Sequence, residues 1–386
     1  MTINRLAKLK LQSIRPELLV DLEHYSSVRG KKFRNVSEAY LDYCDHGEAA
    51  GLTPSPFFYP EWYRWQNRDS AAHPSALAHF ATEGQIRPID PAPFIDSVFL
   101  LRNSLQYSNI VEAVWALVEK RDISVSPRLD DHLENLTQTQ QRIHASIKSR
   151  LFGSPSNQRK RLVWVQAGHA FRPARWFRPD SARTWDLLCN WYTLSGVDIR
   201  LGEMHLRQSG TKATGIHHAL NHHGDILLGY DAVLFLDDDI GIEHEEIDRL
   251  FDIAEANDLD MFQPAVAAGS QCVWKDLFRI PERDFHETTA VEIMMPGFSR
   301  RALELCKPIF GKSVSGFGLD FNCSETVRKA GWKCGVIDAV AAEHIDLIDE
   351  QGGAYYEFMR TLGINQKLEL FHTIKELGKY PDFATV

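Results

Sequence analysis

Beyond residue 160 the apolar positions collect in short unbroken runs, Leu162 to Val165 in RLVWVQAGHA and Ala232 to Leu236 in DAVLFLDDDI. Such runs lack the polar alternation of a half-wet sheet and describe strands buried on both faces. Between and after them, TKATGIHHALNHH and IDRLFDIAEANDLD carry apolar residues at helical spacing, while LLCNWY, VDIRLG and DMFQPAV read as further strands. Strands alternating with helices predict an α/β fold over residues 161–386, a layered sheet covered by helices and closed by a helical tail. In such a sheet ligands collect beyond the carboxyl ends of the strands.

The first 150 residues follow a different pattern. Residues 40–67 overlay residues 77–103 with a period of 37, aligning Tyr43 with Phe80, Gly47 with Gly84, Pro56 with Pro93, Phe57 with Phe94 and Trp62 with Phe99. Each unit reads as a short helix ending near glycine, a Pro-containing connection, then an aromatic helix. Two such copies predict a helical accessory module over residues 1–150, its units burying their apolar faces on one another. The aromatics Tyr59, Trp62, Tyr63 and Trp65 either form a sugar-stacking or protein-docking face or pack the repeats together. Residues 108–150 also read as helical, and the small polar stretch SPSNQRK places a linker at 151–160.

Composition narrows the classes. The 386 residues carry 43 Lys+Arg against 52 Asp+Glu, a formal charge of −9, so the dense positive field that a phosphate backbone requires is missing and nucleic acid is not an expected partner. No apolar stretch reaches the roughly 18 to 20 residues that span a bilayer, which predicts no transmembrane segment. The six cysteines are scattered without a CxxC pair and read as reduced thiols.

Chemistry concentrates at Asp237, Asp238 and Asp239, which follow the apolar run AVLFL directly. Three successive carboxylates repel one another and call for cations, backbone donors or water. At the end of a buried strand they suit a hard cation, Mg²⁺ or Mn²⁺, able to bridge a diphosphate; as an acidic turn they need no function. Asp239 is the expected direct ligand, Asp237 a second ligand or a water-mediated acceptor for the nucleotide, and Asp238 faces another part of the site.

These residues belong to an ordered set: YDAVLFLDDDIGIEH (230–244), LDMFQPAV (259–266), VEIMMPGFSRRALE (291–304), GFGLDF (316–321) and GVIDAVAAEH (335–344). Over about residues 160–345 the set resembles a glycosyltransferase-like family of plants and bacteria, long catalogued as a domain of unknown function, whose plant members are labelled lysine-ketoglutarate reductase trans-splicing related. The resemblance implies a GT-A-type nucleotide-diphospho-sugar transferase, with Asp237 and Asp239 matching its DxD motif and His344 at the position of a late metal ligand. The N-terminal units resemble accessory repeats of bacterial polysaccharide glycosyltransferases with the pattern FxxPxxYxxxN. FFYPEWYRWQN keeps that pattern, whereas FIDSVFLLRN replaces its Pro and Tyr.

Around this frame the remaining candidates take roles. Gly316 and Gly318 would let backbone approach a ligand, and Asp320 would accept the proton of an acceptor hydroxyl in an inverting transfer, or else cap a helix beginning near Asn322. Glu325 is a weaker substitute for Asp320, and Glu292 would orient the acceptor, unless its segment is simply a strand leading to a helix cap at Ser299. Gln166, His169 and Arg172, after the first strand, would meet the donor base and ribose, and Lys212 the diphosphate. His217, His218, His222 and His223 lack the Glu of a zinc-hydrolase motif and read as one amphipathic helix ending at Gly224.

The expectation is therefore a metal-dependent glycosyltransferase that uses Mn²⁺ or Mg²⁺. Its donor would be a nucleotide-diphospho-sugar, with a UDP-sugar preferred, and its acceptor a glycan or lipid-linked glycan. Polysaccharide-assembly enzymes are its expected partners. The setting would be cytoplasmic, or peripheral at the inner face of the membrane. A catalytically inactive carbohydrate-binding or scaffold protein and a metal-dependent phosphodiesterase are the alternatives.

Overall fold

The structure is a computed structural model that describes residues 14–103, 106–120, 125–156, 158–168, 171, 177–178, 182–193, 201–272, 274–346, 348–349 and 352–381. The chain forms two compact units, Met1–Asn135 and Leu136–Val386.

The first unit is helical: α1 (Leu22–Arg29), α2 (Val36–Asp42), α3 (Pro60–Gln66), α4 (Ala76–Glu83), α5 (Ser97–Asn103), α6 (Ile110–Val118) and the start of α7 (Leu129–Ser146). The bounds of α3 and α5 recur with the 37-residue period of the sequence repeat. Asn35, Ser75 and Asn109 cap α2, α4 and α6 by accepting a backbone N–H three residues on. Two of the repeat aromatics serve packing. Trp62 and Tyr63 are fully buried, the Tyr63 ring lies 5.1 Å from Phe58 and 5.9 Å from Phe80, and its hydroxyl meets His79 Nδ1 at 2.7 Å. A ring with no exposed face cannot stack on a sugar, so for these two the choice falls to the core, where each contributes about 1.5–3 kcal/mol by burial.

The second unit is an α/β domain with a mixed sheet. Its strands are β1 (Ser149–Gly153), β2 (Arg161–Ala167), β3 (Trp185–Trp191), β4 (Met204–Gln208), β5 (Ala232–Asp237), β6 (Ile240–Gly241), β7 (Leu259–Val266), β8 (His286–Glu287), β9 (Gly297–Ser299) and β10 (Lys333–His344). Their order is β1-β4-β3-β2-β5-β9-β7-β10-β6, with β8 also on β10. Strands β4, β3, β2 and β5 run parallel, as do β7 and β10, and β9 joins the two sets antiparallel to both neighbours. Ser149–Gly153 departs from the expected helix and linker: it pairs antiparallel along the edge of β4, satisfying backbone groups that a linker would leave to water.

Side-chain alternation along the central strands divides the core. Val163, Val165, Leu234 and Leu236 face a layer containing Ile247, Leu250 and Phe251 of α10 (His244–Ala256). Leu162, Trp164, Val233 and Phe235 face the other layer. That layer holds Ala213, Ile216, Ala219 and Leu220 of α8 (Lys212–His222), which a short α9 (Gly224–Leu227) follows, together with residues of α11 (Arg300–Cys306) and α12 (Leu319–Lys329). Ser299 caps α11 by accepting from Ala302 N–H. The two C-terminal helices, α13 (Ala354–Leu362) and α14 (Gln366–Leu377), bury Tyr356, Met359, Leu368, Phe371 and Ile374. Among the described residues no helix is long and apolar enough to cross a membrane.

Candidate functional site

The carboxyl ends of β2, β3 and β5 bring polar residues into register. Gln166 lies opposite Asn190 on one side and Asp237 on the other, and its Oε1 accepts from Asn190 Nδ2 at 2.5 Å. Because Asp237 follows Val233 and Phe235 at a period of two, it falls on the face covered by α8, whose first residue is Lys212. Lys212 Nζ lies 3.0 Å from Asp237 Oδ1 and donates to Ile293 O at 2.8 Å and Met294 O at 2.7 Å. Phe235 O lies 3.4 Å away as well, so these acceptors occupy the ammonium and tie Lys212 to the end of β5. Burial lowers the Lys212 pKa and raises that of Asp237, each opposed by the partner's charge.

The next two carboxylates take separate partners. Asp238 Oδ2 accepts from the Tyr192 hydroxyl at 2.9 Å, and burial pushes its pKa up to about 6 against that hydrogen bond. Tyr192 follows β3 and lies across Gly168 so closely that a Cβ there would stand 1.9 Å from the phenol ring. Asp239 Oδ2 lies 2.9 Å from His344 Nε2 at the end of β10. Ile345 N–H donates to Asp239 O, and β6 pairs with β10 beside it, so backbone on both sides holds the two residues together. The hydrogen bond with Asp239 raises the His344 pKa, while His344 Nδ1 is buried without a partner among the described residues.

Glu292 and Asp320 complete the acidic set. Glu292 is buried, its pKa pushed up to about 8 by burial and then by Asp320, and its Oε2 lies 3.9 Å from Cys272 Sγ. Asp320 sits inside the first turn of α12, which begins at Leu319, three residues before the expected start. It does not cap that helix: its Oδ1 accepts from Phe321 N–H, and burial pushes its pKa up to about 7. Gly316 and Gly318 have φ of +96° and +84°, which favour glycine. A Cβ on Gly318 would meet Thr373 Oγ1 of α14 at 2.6 Å, so the close approach it permits is to that helix. Glu325 faces away from this set. Burial would raise its pKa, but the hydrogen bond from Lys379 and the charges of Lys329 and Arg328 hold it below its ordinary value.

The loop before Asp320 is held from behind by Glu369 of α14. This buried carboxylate accepts from Val314 N–H at 2.8 Å, Ser315 N–H at 2.9 Å, the Ser313 hydroxyl at 2.8 Å, Gln140 Nε2 at 2.7 Å and the Ser315 hydroxyl. Glu369→Ala would strand these donors and is expected to cost on the order of 3–5 kcal/mol, read by urea unfolding. A loss below about 1 kcal/mol would show that water replaces the carboxylate.

Asp237, Asp238, Asp239, Glu292, Asp320, His344 and Lys212 thus share one region. Gln166 borders it, Glu325 lies off it, and His169 and Arg172 lie outside the described residues. Tyr192, Glu369 and Tyr355, whose hydroxyl donates to Ser315 O in the loop before Asp320, had no signal in the sequence, since no motif or spacing marks them. The four histidines of α8 and its end stay apart from the site. The His217 ring packs 4.7 Å from His144, His218 stacks on His222 at 4.0 Å, and the helix ends at His222, with Gly224 opening α9.

Among the described residues no group of three or more His, Cys, Asp or Glu side chains forms a ready-made metal set. Asp239 and His344 are the pair that could hold a divalent cation, which would take the place of the proton they share.

No curated protein matches the sequence. Among solved structures, A197 from STIV superposes with a TM-score of 0.32 at 17% identity, over 50% of this chain and 87% of its own. GalNAc-T7 with UDP, GalNAc and Mn²⁺ superposes with a TM-score of 0.38 at 8% identity, over 54% of this chain and 49% of its own. Overlap at this level establishes neither activity nor ligand for this chain. The part of the sequence that carries the strand-end carboxylates, residues 211–360, is similar to the family described as Protein of unknown function (DUF707).

Proposed function

We propose that the second unit is a metal-dependent glycosyltransferase of GT-A type, moving a sugar from a nucleoside-diphosphate donor to a glycan hydroxyl. The observation that carries this reading is the meeting of Asp239, in the turn after β5, and His344, at the end of β10, at 2.9 Å within a set of buried carboxylates. Asp239 and His344 would hold Mn²⁺ or Mg²⁺, with Asp237 beside them fixed by Lys212. Such a cation, when bound, neutralises the charge of the departing diphosphate.

The chain's own groups do the rest. The Ser313–Gly318 loop, held by Glu369, presents Asp320 toward the acceptor side. As the acceptor oxygen bonds to the anomeric carbon, the bond to the diphosphate oxygen breaks with its electron pair. The hydroxyl proton passes to Asp320, whose pKa of about 7 suits a base near neutral pH. Glu292 beside it would meet the acceptor as a neutral carboxylic acid, able to donate as well as accept.

Calorimetric titration with UDP, GDP and CDP, with and without Mn²⁺, tests the reading, followed by turnover of the matching nucleotide sugars. Cation-dependent nucleotide binding and acceptor-dependent nucleotide release are expected. Hydrolysis of bis(p-nitrophenyl) phosphate without nucleotide preference would favour the phosphodiesterase, and glycan binding without nucleotide binding the inactive scaffold.

A further inference from the structure

A lysine paired with one carboxylate ordinarily keeps the rest of its ammonium in water. Lys212 does not. Its side chain is only 10% exposed, and besides Asp237 Oδ1 at 3.0 Å its Nζ meets three backbone oxygens: Met294 O at 2.7 Å, Ile293 O at 2.8 Å and Phe235 O at 3.4 Å. Four oxygens from two chain segments therefore surround one nitrogen.

Backbone hydrogen bonds fix these oxygens independently of the lysine. Phe235 N–H donates to Pro296 O and Asp237 N–H to Met294 O, so the segment before β9 continues the pairing along β5. Ile293 and Met294 lie in a turn, and two successive carbonyls there meet one atom, where an extended strand would send them to opposite sides. With no cation among them, the carboxylate and the carbonyl dipoles repel one another and leave buried acceptors unpaired. The lysine stem is fixed as well. Thr211 and Thr214 close the first turn of α8 with reciprocal side-chain to backbone bonds, and the Thr211 hydroxyl donates to Val314 O.

We propose that Lys212 is a tethered monovalent cation. Its ammonium occupies an oxygen cage that takes K⁺ or NH₄⁺ once the side chain is shortened, and occupancy of the cage positions the strand end that carries Asp237, Asp238 and Asp239. K⁺ and NH₄⁺ keep carbonyl oxygens at about the length of an ammonium hydrogen bond, whereas the smaller Na⁺ draws them closer. Mg²⁺ requires oxygens at about 2.0–2.1 Å and sheds its water reluctantly, so a cage of paired backbone does not close on it. The cage stands apart from the transferase reading above, and only its effect on nucleotide binding rests on that reading.

The test compares the full chain with Lys212→Ala, which opens the cage, and Lys212→Met, which fills a similar length without charge. Thermal melts are recorded in the chlorides of K⁺, NH₄⁺, Na⁺ and tetramethylammonium at one ionic strength, without Mn²⁺. The parent is expected to melt alike in all four. Lys212→Ala should melt below the parent in tetramethylammonium and regain about 3–6 °C in K⁺ or NH₄⁺ at ten times half-saturation, while Lys212→Met regains nothing. In crystals of Lys212→Ala grown with RbCl, an anomalous peak is expected between Asp237 and the carbonyls of Ile293 and Met294. No ion-specific gain in Lys212→Ala, its failure to fold in every salt, an equal gain in Lys212→Met, or Rb⁺ bound only elsewhere would each overturn the cage. Calorimetric titration with UDP, GDP and CDP in the presence of Mn²⁺ reads the positioning role. Affinity is expected to fall at least roughly tenfold in Lys212→Ala in tetramethylammonium and to return in K⁺. Melting restored by K⁺ without restored affinity would strike the positioning role. A parent that binds no nucleotide would instead sink the transferase reading and leave the cage to the melts and the Rb⁺ peak.

Discussion

Asp320→Asn is expected to lower glycosyl transfer by roughly 10²–10⁴-fold and, at the same time, to stabilise the protein at alkaline pH. Both effects come from burial of one carboxyl. Its pKa rises from an ordinary 3.8 to about 7 in the fold, so between those values the folded state holds a proton that the unfolded chain has released. Stability therefore falls as pH climbs from about 4 to about 7, then stays lowered by a shift of about 3 units, or about 4 kcal/mol. An asparagine keeps the acceptor for Phe321 N–H and has no proton to lose. Urea unfolding at pH 5 and pH 8 should show the parent losing several kcal/mol across that interval and the variant losing less. Glu292, pushed up to about 8, contributes the remaining slope in the same direction, and removing the Asp320 charge eases its ionisation. A variant with the parent's pH slope would place the titration elsewhere; one with full transfer activity would remove Asp320 from the reaction.

Asp239→Asn is expected to abolish the effect of Mn²⁺ on nucleotide binding and to lower transfer by at least roughly 10³-fold. The amide keeps the size of the side chain and removes the charge that a divalent cation requires. Lys212 stays on Asp237, so the adjoining clamp and the end of β5 are expected to hold. The variant has a second readout without any substrate. His344 owes its raised pKa first to the hydrogen bond with Asp239, so that pairing stabilises the fold while His344 is protonated and is lost as pH rises through its folded value. Replacing Asp239 should return the imidazole toward its ordinary value of 6.5, followed by NMR titration of its ring protons. Unchanged cation-dependent nucleotide binding would overturn the metal assignment, and an unmoved His344 titration would break the pairing itself.

What could be read along the chain was whatever local periodicity records. Unbroken apolar runs made β2 and β5 visible, and the 37-residue recurrence of aromatics and glycines foretold helices α3 and α5. The acid-rich end of β5 was legible because a strand's last residue and its first loop residue are neighbours in sequence. The α12 start was misplaced by three residues because Leu319 and Asp320 look like loop when Gly316 and Gly318 precede them, and the helix is secured from outside, by α14.

Pairings across the sheet had no such record. That Lys212 would meet Asp237, Ile293 and Met294 depends on α8 lying over one face of β5 and on β9 turning the 291–296 segment back beside it. Glu369, beyond the 211–360 match, supports the Asp320 loop only once α14 packs behind it. Tyr192 and Tyr355 are ordinary surface residues until the fold turns their hydroxyls inward. By itself, then, the sequence determined the two kinds of module and the strand end where charge gathers, because buried strands and stacked helices demand fixed apolar spacings. Which cation meets which carboxylate, and which rings border them, the tertiary structure alone decided, since strand order and helix packing place residues a hundred positions apart within a hydrogen bond.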